Sequence, residues 1–212
     1  MDKYLSIITN FGCHYTCPYC IVRENNLHIP KTTLYGLRNL KEAITTNHCN
    51  WLSISGGGDP LHNWKEHEDW YKTLFSIPIR IKKELHTSYI LDDFPYGNFD
   101  RVVYHVRNIE QLNNIRKYFN QTVRVVFVVT EGFTKEFIDD IFEAVVDNYD
   151  IDELSFRQMV DSNYQTTHYC EDYLRSEHKN KWWYIEQNDY NLYYAENKVS
   201  TRYEDFRMGG EI

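Results

Sequence analysis

Three cysteines lie close together near the start of the chain, Cys13, Cys17 and Cys20, spaced C-x3-C-x2-C in Gly12-Cys13-His14-Tyr15-Thr16-Cys17-Pro18-Tyr19-Cys20. Thiolates are soft ligands that select iron–sulfur clusters or zinc over hard cations. Three of them in one short loop can hold three irons of a cubane [4Fe–4S] cluster, leaving the fourth iron open to a substrate or cofactor. The same trio could instead bind zinc in a closed tetrahedron completed by His14, Cys49 or Cys170. Structural zinc sites usually pair two C-x2-C knuckles, and a second knuckle is missing from this sequence. Five cysteines are an odd number, and the clustering of three makes poor material for a disulfide framework, so reduced thiols with a chemical role are expected.

A second constellation follows an apolar run: Trp51-Leu52-Ser53-Ile54-Ser55-Gly56-Gly57-Gly58-Asp59-Pro60-Leu61. Glycines let backbone N–H and C=O groups approach a ligand closely. Asp59 can accept from an ammonium, and Pro60 ends strand pairing. Alone, such a cluster reads most simply as a turn.

Taken in order, the two constellations resemble the radical S-adenosylmethionine (SAM) superfamily, whose signature is C-x3-C-x2-C with an aromatic residue before the last cysteine. Tyr19 holds that place. The resemblance implies that Cys13, Cys17 and Cys20 ligate a [4Fe–4S] cluster, that the amino and carboxylate groups of SAM chelate the open iron, and that Tyr19 lies along the adenine. Gly57, Gly58, Asp59 and Pro60 match the family's Gly-Gly-Glu/Asp-Pro motif, which holds the amino group of the SAM methionine. Gly56 stands where the family often has Ser or Thr, and the acid is Asp where Glu is commoner. The implied reaction is reductive cleavage of SAM to a 5′-deoxyadenosyl radical that abstracts hydrogen from a substrate, in an oxygen-sensitive enzyme fed by a one-electron donor of the flavodoxin or ferredoxin type. The run Gly-Gly-Asp-Pro-Leu-His also looks like the version in activases of anaerobic ribonucleotide reductase. That gives an alternative reading, the same chemistry aimed at a glycine of a partner protein. A non-catalytic zinc module is the third.

Six short β-rich segments, at 4–9, 51–55, 79–87, 101–106, 122–130 and 153–159, alternate with stretches of helical period. Leu34, Leu37, Leu40, Ala43 and Ile44 mark one helix over 33–46, and Ile109, Leu112, Ile115 and Phe119 a second over 108–119. A third, over 134–149, has Thr134 as N-cap and Phe137, Ile138, Ile141, Phe142, Val145 and Val146 as its buried face. Strands separated by helices imply parallel pairing through crossovers. The expected fold is α/β: a partial (β/α)6 TIM-type barrel over 1–161, with a small aromatic-rich α+β extension over 162–212 packed on it. In that extension 167–178 reads as a helix, 181–186 as a strand, and 190–195 with 198–203 as a hairpin turning at Glu196-Asn197. Its aromatic residues, among them Trp182, Trp183, Tyr184, Tyr190, Tyr193 and Tyr194, could stack on a substrate, but aromatic strands are more often core, and core is the reading favoured.

In a βα barrel the chemistry sits at the carboxyl ends of the strands, which is where both motifs fall. Further polar residues end the later strands: His86, Thr87 and Ser88; His105 and Arg107; Thr130 and Glu131; Arg157 and Gln158. By resemblance, such positions touch the SAM ribose and carboxylate. His105 and Arg157 are the residues chosen, Arg157 because a cation in the apolar run Leu154-Ser155-Phe156 needs an anionic partner. No catalytic side chain is identified.

The 212 residues carry 23 basic and 31 acidic side chains, a net charge of −8, which opposes adhesion to polyphosphates or anionic lipid. A small molecule or peptide is therefore favoured over nucleic acid as substrate. With 42% hydrophobic residues the chain can bury a core, yet no run approaches 18 apolar residues and no secretory signal opens it, so a cytoplasmic protein is expected.

Overall fold

The computed structural model describes residues 2–118, 120–161, 163, 165–176, 182–185 (backbone only) and 192–206. Along the chain run β1 (Tyr4–Ile8), α1 (Ile21–Glu24), α2 (Leu34–Thr46), β2 (Trp51–Ser55), α3 (Glu68–Ser76), β3 (Lys82–Thr87), β4 (Arg101–Val106), β5 (Thr122–Val129), α4 (Lys135–Asp147), β6 (Glu153–Gln158), α5 (Glu171–Ser176), β7 (Trp182–Ile185), β8 (Leu192–Ala195) and β9 (Lys198–Ser200). The fold is mixed α/β with mostly parallel strands, as the alternation of periods predicts. The chain divides into two compact units, Met1–Tyr89 with Tyr190–Ile212, and Ile90–Asp189. No helix among the described residues is long and apolar enough to cross a membrane.

In the first unit the strand order is β3-β2-β1-β8-β9. β1 pairs in parallel with β2 on one side, Leu5 opposite Leu52, and with β8 on the other, Leu5 opposite Leu192. Strands covered on both sides read as continuous apolar runs, and Leu5, Ile7, Ile8, Leu52 and Ile54 are all buried. The hairpin forms as predicted, with Tyr194 opposite Val199 and Ala195 opposite Lys198. Helix α2 starts at the Thr33 cap, whose side chain accepts from Tyr35 N–H at 3.2 Å, a contact worth about 1 kcal/mol. It buries Leu37, Leu40 and Ile44 but leaves Leu34 45% exposed.

The second unit holds β4-β5-β6-β7, all parallel. In α4 the Thr134 cap accepts from Phe137 N–H at 3.2 Å, and Ile138, Ile141 and Val145 are buried. Val146, assigned to that face by periodicity, is instead 44% exposed, one residue around the helix from Val145.

Two further expectations are corrected, and one helix is added. The helix over 108–119 is only a 3-10 segment, Ile109–Asn114, closed by a capping box in which Asn108 and Gln111 bond one another's backbones. Two asparagines in succession then favour local side-chain bonding over helix, the chain turns extended at Ile115, and Phe119 lies outside the described residues. The third strand begins at Lys82 rather than 79, since Lys82 already stands opposite Trp51, the first residue of β2. Helix α3 was not anticipated; its Trp70, Tyr71 and Leu74 form a short buried stripe. In the extension, α5 occupies part of 167–178, and residues 177, 178, 181, 186 and 190 lie outside the described part.

Candidate functional site

Both motifs lie in the first unit, on the loops that leave the carboxyl ends of the adjacent strands β1 and β2. The loops are joined backbone to backbone. Asn10 N–H donates to Gly56 O at 3.2 Å, and Asp59 N–H donates to Gly12 O at 2.7 Å. This close approach explains the glycines. A Cβ on Gly58 would stand 2.3 Å from Gly12 O, and one on Gly57, at φ +76°, would stand 2.7 Å from the Asn10 Cβ. The glycine run therefore makes room first of all for the cysteine loop.

Asp59 is 4% exposed, and its carboxylate is filled by donors of the same unit. Oδ1 accepts from Leu61 N–H at 2.9 Å and Thr87 Oγ1 at 2.7 Å, while Oδ2 accepts from Ser88 N–H and Ser88 Oγ, both at 2.6 Å. Four donors match the roughly four lone-pair sites of a carboxylate. Asp59 thus fastens the turn after β2 to the end of β3, and Thr87 and Ser88, singled out in the sequence as strand-end polar residues, are its partners. Pro60 is held too, its carbonyl accepting from Tyr71 Oη of α3 at 2.7 Å. His86, the third polar residue at that strand end, pairs through Nε2 with the buried Glu84 at 2.9 Å.

The cysteine loop is the more open element. Cys13 is exposed, and Cys17, Tyr19 and Cys20 are half-buried. Cys20 N–H donates to Cys17 O at 3.2 Å and Cys20 O accepts from Glu24 N–H at 2.8 Å, so the last cysteine leads straight into α1. Arg23 of α1 reaches back to Cys17 O at 3.0 Å. Although Cys13 is exposed as a residue, partial burial of its thiol is the first cause that pushes its pKa above the usual thiol value. Asp59, Cys17 and Cys20 add to it by repulsion, against a backbone hydrogen bond at Tyr15. Cys17 and Cys20 are therefore both within electrostatic reach of Cys13. Among the described residues, however, no three His, Cys, Asp or Glu side chains converge so as to hold a metal ion. The donor set, three thiols on one loop with no carboxylate among them, fits an iron–sulfur cluster by its chemistry.

An aromatic and imidazole group borders the loop. The His14 ring lies 3.8 Å from the Tyr89 ring and 3.9 Å from Tyr15, and His62 Nδ1 meets Tyr89 Oη at 3.0 Å. Burial, then the charge of Asp59, raises the Tyr89 pKa. Sequence reading missed Tyr89, which belongs to no motif, and gave His62, the last residue of the Gly-Gly-Asp-Pro-Leu-His run, no role of its own.

The other site residues predicted from sequence belong to the second unit. His105 is half-buried on β4 opposite Val126, and Arg157 is half-buried on β6 opposite Val128 and Ile185. Gln158 is buried and donates to Tyr169 O at 2.8 Å. Of the two remote cysteines, Cys170 Sγ contacts Phe133 O at 3.3 Å and Cys49 Sγ contacts Asn47 O at 3.8 Å.

No family model and no curated protein matches the chain. Among solved structures it is similar to Streptococcus suis SuiB bound to S-adenosylmethionine, with a TM-score of 0.60 and 16% sequence identity, over 89% of this chain and 48% of that one. The chain spans about half the length of SuiB, and at this identity the likeness is one of fold.

Proposed function

We propose that this chain is a radical SAM enzyme, with Cys13, Cys17 and Cys20 as ligands of a [4Fe–4S] cluster and SAM as its second cofactor. The observation that carries the reading is the joining of the cysteine loop to the Gly56–Pro60 turn at the ends of neighbouring parallel strands. The fold likeness to a SAM-bound protein supports it. When bound, the cluster and SAM supply one-electron cleavage of the C5′–S bond and a 5′-deoxyadenosyl radical that takes hydrogen from the substrate.

The chain's own residues bind, orient and exclude water. The three thiols lose their protons to become ligands, which makes loading dependent on pH. The backbone of Gly57 and Gly58 is the part of the turn assigned to the methionine amino group, and Tyr19 the ring assigned to the adenine. Asp59 acts as a positioning residue, because its carboxylate already holds Leu61, Thr87 and Ser88. A small molecule or peptide is the substrate class, and a flavodoxin or ferredoxin type of protein the electron donor.

The test is anaerobic reconstitution with iron and sulfide, followed by incubation with SAM and dithionite. The expected result is a brown protein absorbing near 400 nm that yields 5′-deoxyadenosine. A colourless product holding zinc alone, or a cluster-loaded protein yielding none, defeats the proposal.

A further inference from the structure

We infer that Tyr203, supplied by the segment after β9, is a hydrogen-bond donor built into the proposed cluster site, an assignment that rests on the reading above. Strand β8 lies along β1 and brings the segment 198–206 back toward the two motif loops. The Tyr203 ring packs edge-on against Tyr193, centroids 5.1 Å apart at 76°. With Ile21 and Val22, the two residues that follow Cys20, these rings cover a core of Ile8, Leu27, Ile29, Ala195 and Phe206. The Tyr203 oxygen stands 3.2 Å from where a Cβ on Gly56 would be, beside the Gly57 backbone and close enough to Cys20 for their charges to interact.

That oxygen is sealed from solvent, and although the Gly57 backbone lies on its accepting side, its O–H proton meets no acceptor among the described residues. A buried O–H proton without an acceptor is costly, and phenylalanine would fill the same space without that cost. A phenol keeps its proton across the ordinary pH range, so this hydroxyl is a donor. What it lacks is an acceptor. The acceptor chemistry absent from the unloaded chain and introduced by loading is anionic sulfur, the Cys20 thiolate or a cluster sulfide. A donor aimed at cluster sulfur favours the reduced state and raises the reduction potential.

The experiment compares the full-length chain with Tyr203→Phe in two states. Metal-free, the variant melts at the same temperature as the parent or higher, because an unmatched polar atom has been removed. Loaded with equal iron, it shows at least a tenfold lower reduced-to-oxidised ratio at fixed potential, a shift of about 59 mV for one electron, in an EPR-monitored redox titration. A metal-free variant that melts lower shows the hydroxyl already partnered and overturns the inference, as do identical potentials in two equally loaded proteins. A parent chain that takes up no cluster defeats the functional reading itself, and this assignment with it.

Discussion

Asp59→Asn separates a carboxylate that organises the site from one reserved for a ligand. The substitution keeps shape and size but replaces one acceptor oxygen with an NH2 group. Facing Ser88, that group would oppose the Ser88 N–H; facing Leu61 and Thr87, it would oppose the Leu61 N–H. Either way one buried backbone donor loses its acceptor, at about 1–3 kcal/mol, and the remaining bonds lose the reinforcement of full charge, so a total near 3 kcal/mol is expected. Against the roughly 5–15 kcal/mol typical of whole domains this is a large fraction. At about 2–4 °C per kcal/mol for a chain of this size, the melting temperature of the metal-free protein falls by about 6–12 °C. The assay is thermal unfolding by circular dichroism with chelator present, so that no bound group contributes. Thr87→Val, which removes one donor, follows in the same direction with about a third of the effect. A metal-free Asp59→Asn chain melting within 1 °C of the parent would refute the reasoning, since a carboxylate kept only for a ligand leaves the unloaded chain unchanged.

Gly58→Ala sets a Cβ 2.3 Å from the Gly12 carbonyl and forces the two motif loops apart, whereas Gly97→Ala and Gly132→Ala meet nothing within 4 Å. Limited proteolysis across 10–20 is expected to accelerate several-fold in the first and to stay unchanged in the other two. The raised pKa of Cys13 means a smaller thiolate fraction at any given pH, so its iodoacetamide reaction, followed by peptide mass spectrometry, has its midpoint above the ordinary thiol value of 9.0. A midpoint below that value contradicts the assigned burial. Cys17→Ala is expected to abolish iron uptake and 5′-deoxyadenosine formation, while Cys170→Ala, whose sulfur contacts Phe133 O, leaves both intact; equal damage from the two would mean that the ligands are misassigned. Tyr71→Phe removes the bond to Pro60 O and lowers stability by about 1 kcal/mol in urea unfolding.

Where local pattern decides structure, the sequence was readable. The valine-rich run of β5, the caps at Thr33 and Thr134 and the turn at Glu196-Asn197 each carry their own instruction, because periodicity and turn chemistry act over a few residues. Helix α3 escaped notice because charged residues crowd its first turn and three large side chains make a narrow stripe. Residues 108–119 show the reverse: an apolar spacing that suits a helix, overridden by asparagine and glutamine side chains bonding the backbone locally. The two motifs were visible by spacing, but the direction of the Asp59 carboxylate was not. Whether an acid faces a ligand or its own neighbours depends on Thr87 and Ser88, which reach it only through β2–β3 pairing. Tyr203 carried no local signal either, since its place beside Gly56 follows from β8 choosing β1.

That choice governs how the protein is made. Leu5 meets Leu192 across a long stretch of sequence, so on the ribosome the strand bearing the cysteine loop has one edge bare until β8 emerges, on the order of tens of seconds at 5–20 residues per second. A nascent chain with an open, apolar edge invites pairing with its neighbours. Slow production at reduced temperature, with a chaperone to shield that edge, is accordingly the regime in which intact protein should accumulate.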